Sequence, residues 1–308
     1  MSTTKGDGIQ MSSYITEYSS CRLCARECGV DRNKGQCGFC REGAEVSLAR
    51  SALHMWEEPI ISGTRGSGTV FFSGCSLSCI FCQNAEISRG RVSKKVSIER
   101  LSEIMMELQS AGAHNINLVT PTHFAPSIVR AVKLAKASGL CLPIVYNTAS
   151  YEAVDTVKML DGTVDIYLAD YKYNTKKTSE YSHAENYPAT ARAAIAEMVA
   201  QRGEPVVECG IMRSGVIVRI LLLPGHVAEA KLSLKYLYET YGDNIYISLM
   251  NQYTPMPDMP SPLNRTVTRE EYSELVDYAL RKGVTRAFIQ EGGTAKESFI
   301  PAFDLTGI

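Results

Sequence analysis

Cys75, Cys79 and Cys82 stand in the spacing C-x3-C-x2-C directly after an apolar run, and this segment constrains the chain more than any other. The run, Gly68-Thr69-Val70-Phe71-Phe72-Ser73-Gly74, is β-branched and aromatic and closes on a glycine, the pattern of a buried strand entering a turn. Three thiolates hold three irons of a [4Fe–4S] cluster and leave the fourth iron open to another ligand. Zinc prefers paired C-x2-C knuckles with a fourth ligand close by, and none follows Cys82. In a barrel, the loop after such a strand is where a site is carried.

Eight of the ten cysteines fall between Cys21 and Cys82, which in a reducing compartment means metal rather than disulfides. Cys141 and Cys209 lie apart and are expected as small buried hydrophobes. A net charge of −1 over 308 residues gives no reason to expect a polyanion partner, so nucleic acid is disfavoured. Residues 1–20 are polar and lack the apolar core of a secretory signal. The longest apolar run, Val216 to Leu223, contains Arg219 and is too short to span a membrane. The expected location is the cytoplasm.

A second cysteine-rich stretch precedes the first. Cys21, Cys24, Cys28, Cys37 and Cys40 fall within twenty residues that also hold Gly29, Gly35 and Gly38 for tight turns. Cys21, Cys24, Cys28 and Cys40 would make a tetrathiolate for zinc or an auxiliary [4Fe–4S] cluster, with Cys37 as a spare. The knuckle-like spacing leans toward zinc.

Three regions follow: a polar arm over 1–20, a cysteine-rich module with its connecting segment over 21–66, and a large domain over 67–308. A hairpin or edge strand is expected over 44–52, and Met55-Trp56-Glu57-Glu58-Pro59 leads into the glycine turn at 63–68. From Thr69 onward, strand-like runs alternate with helix-period segments. Strands are expected near 69–72, 115–119, 142–146, 164–168, 216–223 and 246–250. Helices are expected near 98–108, 128–134, 154–160, 189–201, 232–238 and 269–282. Six βα units argue an α/β fold with a parallel sheet and outer helices. Periodicity alone does not separate an incomplete barrel from a doubly wound sheet.

C-x3-C-x2-C with Phe81 before its third cysteine resembles the cluster loop of the radical S-adenosylmethionine superfamily. With the N-terminal module, Asn117-Leu118-Val119-Thr120-Pro121-Thr122-His123-Phe124 and Asp165 to Tyr173, the chain resembles the uncharacterised branch that is similar to pyruvate formate-lyase activating enzyme. The resemblance runs from Cys21 to Phe303-Asp304-Leu305-Thr306-Gly307. It implies an open (βα)6 partial TIM barrel, with S-adenosylmethionine chelating the open iron and a 5′-deoxyadenosyl radical abstracting a hydrogen atom.

The resemblance also implies cofactor contacts at the C-terminal ends of successive strands. Thr120, Thr122 and His123 stand where many relatives carry a Gly-Gly-Glu segment. Asn147 and Thr148 stand where activases have an Asp-Thr pair, so a carboxylate is replaced by an amide. Asp170 and Lys172 match an Asp-x-Lys element, Arg219 a cofactor-facing arginine before Pro-Gly, and Tyr253 a residue near the adenine. Ile220 stands where many members have histidine. No catalytic residue is assigned beyond the cluster. The implied partners are a glycyl radical enzyme or another protein substrate, and a one-electron donor such as flavodoxin or ferredoxin. Radical modification of a small molecule or peptide is the alternative within catalysis, and a non-catalytic electron carrier is the alternative outside it. Charge-neutral changes at Asp170 are expected to weaken cofactor binding and spare the fold.

Overall fold

A run of β-branched and aromatic residues buried on both faces has one stable home, the interior of a parallel sheet covered by helices. The structure, a computed structural model, describes residues 15–290 and 301–308. Its strands are β1 (Val46–His54), β2 (Ser67–Phe72), β3 (Lys94–Val96), β4 (Ile116–Val119), β5 (Ile144–Thr148), β6 (Ile166–Asp170), β7 (Val206–Glu208), β8 (Ile211–Leu221), β9 (Tyr246–Met250) and β10 (Ala287–Ile289). Its helices are α1 (Pro59–Ser62), α2 (Ala85–Ser88), α3 (Ile98–Ser110), α4 (Ala125–Ala137), α5 (Val154–Met159), α6 (Lys176–Ser179), α7 (Tyr187–Arg202), α8 (Val227–Tyr241) and α9 (Arg269–Arg281).

Strands β2, β4, β5, β6, β8, β9 and β10 are parallel neighbours in that order. The fold is therefore mixed α/β around a parallel sheet, and each of the six expected strands and helices has its counterpart. The sheet path ends at β10 on one side and β3 on the other. Two features differ from the expected organisation. A short seventh parallel strand, β10, extends the sheet. On the other flank β1, which the sequence placed in the connecting segment, pairs antiparallel with β2 and β3, so the boundary at 66 does not divide the sheet.

Side chains alternate between the two faces with the period of two that a strand imposes. Val70, Phe72, Leu118, Tyr146, Val218 and Ile220 belong to the larger core, with Leu101 and Ile104 of α3 and Ile128 of α4. Val145, Ile166, Leu168 and Ile217 point the other way and pack with Ile61 and Met212. Ile61 is fully buried on α1, a single turn with Pro59 in its first positions, where a proline needs no N–H partner. Helix α1 thus packs onto the inner face of the sheet.

Residues 1–14 of the expected polar arm lie outside the described residues. Residues 15–20 are not a loose arm: Ile15 and Tyr18 are buried, and the Tyr18 hydroxyl bonds the Ser127 hydroxyl at 2.8 Å. The cysteine-rich module docks on the large domain. Cys24 pairs antiparallel with Glu152, and Arg26 Nε donates to the Ser76 carbonyl at 2.9 Å. Cys141 and Cys209 are exposed rather than buried. Among the described residues no helix is long and apolar enough to cross a membrane.

Candidate functional site

The C-terminal ends of the parallel strands surround a cavity of about 250 Å³. Cys79, Cys82 and Phe81 line it from the loop after β2, Asn147 from β5, Asp170 and Lys172 from β6, and Arg219 from β8. Gln252 and Tyr253 enter after β9, and Trp56 and Glu57 from the segment before α1. One wall is charged; the rest includes Phe71, Val119, Leu221, Met250 and the Tyr253 ring, which meets Phe81 edge-on at 6.0 Å.

The cluster loop is set by Gly74, whose φ of +81° costs glycine nothing. The module comes so close here that a Cβ on Gly74 would stand 2.5 Å from Glu42 Cγ and 2.7 Å from the Cys40 carbonyl oxygen. Beyond the turn, the Leu77 N–H donates to Cys75 Sγ at 3.3 Å and the Ser88 hydroxyl to Cys82 Sγ at 3.4 Å. Cys79 Sγ lies 2.8 Å from the Ser182 hydroxyl. Burial pushes the Cys75 and Cys79 thiols up. Cys79 and Cys82 reinforce the shift at Cys75, whereas nearby Lys172 opposes it at Cys79. Three sulfurs on one loop, each with a hydrogen-bonding neighbour, are a donor set that suits a cluster bound at separate irons. Among the described residues no three His, Cys, Asp or Glu side chains stand at the spacing of one bound ion.

The charged wall is an ion-pair network centred on Arg219. Its Nε donates to Asp170 Oδ1 at 2.7 Å, its NH2 to Asn147 Oδ1 at 2.7 Å, and its NH1 lies 3.3 Å from Glu57 Oε2. Lys172 Nζ donates to the other Asp170 oxygen at 2.6 Å. Burial alone would raise the Asp170 pKa, but Arg219 and Lys172 outweigh it and hold the carboxyl below the usual range. Glu57 goes the other way: burial raises its pKa and Arg219 offsets this only in part. Its Oε1 accepts from Asn117 at 3.0 Å and Asn147 at 3.3 Å.

Seven of the sequence-derived site residues meet at this cavity: Cys79, Cys82, Asn147, Asp170, Lys172, Arg219 and Tyr253. Cys75 lies in the same loop. Thr120, Thr122, His123 and Thr148 do not line the cavity. Thr120 takes a φ of +58° at the end of β4, and its N–H donates to the Asn147 carbonyl. Thr122 and Thr148 donate their hydroxyls to Glu152 Oε1, beneath Cys24. His123 is buried, with Nε2 2.6 Å from the Ser73 carbonyl.

Glu57 was missed. Its one sequence signal is Pro59 two residues later, which marks a helix start and so a change of chain direction.

Residues 62–187 match the family model of a 4Fe-4S single cluster domain. The match supports one [4Fe–4S] cluster in this span and leaves Arg219, Glu57 and the N-terminal module outside. The span holds four cysteines. Cys141 precedes β5, at the end of the sheet opposite the cluster loop, and its thiol donates to Gln109 Oε1 at 3.3 Å.

An uncharacterized protein of Methanocaldococcus jannaschii, MJ0674, is 27% identical over 274 residues, 85% of this chain and 75% of that protein. Solved structures with a similar chain trace include HydG, a maturase of the [FeFe]-hydrogenase (18% identity, 73% of this chain and 52% of that one, TM-score 0.49). Methylornithine synthase, PylB, shows 16% identity over 68% of this chain and 60% of that one, with a TM-score of 0.45. Streptococcus suis SuiB shows 13% identity over 71% and 47%, with a TM-score of 0.46. The chain spans about half the length of these solved proteins.

Proposed function

We propose that the protein is a radical S-adenosylmethionine enzyme whose cluster is held by Cys75, Cys79 and Cys82. One observation carries the reading. The span that matches a single-cluster domain offers three thiols on one loop, two of them lining the cavity, while its fourth cysteine sits at the far end of the sheet. A cluster held there would have one iron without a protein thiolate, beside the cavity that Cys79 and Cys82 line. When bound, the cluster supplies one electron to S-adenosylmethionine, whose cleavage yields a 5′-deoxyadenosyl radical.

The chain's own residues hold and shield that cofactor. Lys172 offers an ammonium beside Cys79, the place for a carboxylate of the ligand. Asp170, Glu57 and Asn147 fix Arg219 and supply acceptors for an ammonium. Phe81, Met250, Leu221 and Tyr253 give an apolar wall that keeps water from the reacting carbon. We further read the enzyme as an activase-like protein acting on a glycine of a partner enzyme, fed by a flavodoxin or ferredoxin. The Asp170-x-Lys172 pair and the exposed Trp56 at the cavity mouth support this reading.

The test is anaerobic reconstitution with iron and sulfide, then reduction in the presence of S-adenosylmethionine. The reading requires 5′-deoxyadenosine from the native protein and none from Cys79→Ala. A protein that binds iron yet releases no 5′-deoxyadenosine is an electron carrier. Deuterium passing from a glycyl radical enzyme into 5′-deoxyadenosine supports the activase reading. Transfer from a small metabolite alone replaces it.

A further inference from the structure

The cysteines of the N-terminal module take no part in the cavity, yet the fold brings their backbone segments together. Among the described residues no three of the sulfurs stand at the spacing of one bound ion, so binding one requires the side chains to turn. The Cys21 N–H donates to the Val30 carbonyl at 3.0 Å and the Gly29 N–H to the Cys21 carbonyl at 2.9 Å, laying the segments of Cys21 and Cys28 side by side. Cys24 follows Cys21 in a C-x2-C step and is held by its backbone pairing with Glu152. The Phe39 N–H donates to Cys28 Sγ at 3.4 Å. Gly38 rests so close to the same sulfur that a Cβ there would stand 2.9 Å from it. Cys28 and Cys37 are both exposed, but the Cys37 thiol turns to the Gly35 carbonyl at 3.9 Å, away from the other four. None of the five is in a disulfide.

Arg32 supplies an independent observation. It is only 1% exposed, donates to the Gly43 and His123 carbonyls, and lies over the Tyr18 ring at 4.2 Å. Its NH1 points at Cys21 Sγ, 3.9 Å away. Among the described residues it enters no ion pair with a carboxylate at salt-bridge distance. Glu42, the acidic residue in its field, is hydrogen-bonded by Ser47 and Ser73. A guanidinium keeps its proton, so burying one without a negative charge is costly. Neutral thiols do not supply that charge.

We propose that Cys21, Cys24, Cys28 and Cys40 form a tetrathiolate metal centre and that Arg32 is its buried counter-charge. Four thiolates around a zinc ion, or around an oxidised [4Fe–4S] cluster, carry a net charge of about −2. Arg32 therefore selects an anionic tetrathiolate without choosing the metal. Binding releases the four thiol protons and turns the sulfurs inward about χ1. The site does not depend on the chemistry at Cys75, Cys79 and Cys82.

The experiment uses the full chain carrying Cys75→Ala, Cys79→Ala and Cys82→Ala, purified without oxygen, with metal and acid-labile sulfide quantified. About one zinc without sulfide, or about four irons with sulfide, supports the centre and names its metal. Adding Cys24→Ser or Cys28→Ser should remove that metal, and adding Cys37→Ser should not. Arg32→Gln should speed metal loss to a chelator by about tenfold, as expected for an outer-shell partner. If the triple variant does not fold, Cys24→Ser in the native chain gives the same reading as a difference in metal content. A folded protein without metal, or one whose metal survives Cys24→Ser and Cys28→Ser, overturns the proposal.

Discussion

Arg219 and Asp170 stand directly opposite each other on β8 and β6, and their ion pair closes at 2.7 Å while both are largely removed from water. The charges that face the cavity are thus joined across the sheet. Asp170 is thereby tied to a neighbouring strand as well as facing the cavity, so neutralising it should cost stability, against the expectation from the sequence that it spares the fold. Arg219→Gln would strand Asp170 and Glu57 with only Lys172 to compensate. It should cost about 3–5 kcal/mol, the range for breaking a buried pair. Asp170→Asn should cost less, because Glu57 still faces the guanidinium. Urea unfolding of both variants checks this, and midpoints equal to the native one would make the network dispensable to folding.

Glu57 should matter to the ligand. Trp56 is the chain's one tryptophan and lines the cavity at 61% exposure, so its emission reports occupation. S-adenosylmethionine added to the reconstituted protein should change that emission. Glu57→Gln keeps an acceptor for Asn117 but removes the charge beside Arg219. Its titration should shift to about tenfold higher concentration, about 1.4 kcal/mol. Superimposable titrations would take Glu57 out of the site.

His123 predicts an acid weakness. Burial, with Arg32 adding to it, lowers its pKa to about 3 from 6.5, against the Ser73 hydrogen bond that raises it. As the pH falls from 6.5 toward 3, the unfolded chain takes up a proton that the folded one refuses. Stability should therefore drop by up to about 1.4 kcal/mol per pH unit from this residue. His123→Gln should show a flatter dependence between pH 6 and 4. An unchanged slope would mean that His123 is protonated in the fold.

Gly74→Ala tests the junction of module and cluster loop. The added methyl meets Glu42 and the Cys40 carbonyl, and the positive φ adds strain of about 1–3 kcal/mol. Lower thermal stability together with weaker iron retention is expected. Full iron retention at native stability would show that the loop shifts freely.

Much of the fold could be read in the sequence because six strands and six helices carry long, regular patterns. The three-residue strand β10 and the one-turn helix α1 are too short for any period to declare them. The site was legible where chemistry is unusual for its surroundings, as with Arg219 in an apolar strand. Where two neighbours were both assigned to the ligand, the structure sends them to different places. Asn147 and Thr148 are consecutive on β5, so one faces the cavity and the other reaches Glu152 behind the sheet. Glu57 escaped because its partners Asn117, Asn147 and Arg219 are 60 to 162 positions away, a proximity that only the folded sheet creates.

Strand β1 in the sheet and α1 packed on its inner face mean that the unit of similarity is not a unit of folding. A fragment cut to residues 62–187 would keep the three cysteines of the loop and lose β1, β8 and Glu57. Strands β2 and β6 would become raw edges, open to pairing with other chains. Asp170 would lose Arg219, and the inner sheet face would lose Ile61 together with Met212 and Ile217 on β8. Transplanting the cluster loop into another scaffold therefore requires carrying the N-terminal segment with it, since the chain ahead of the cysteines builds the floor on which their chemistry rests.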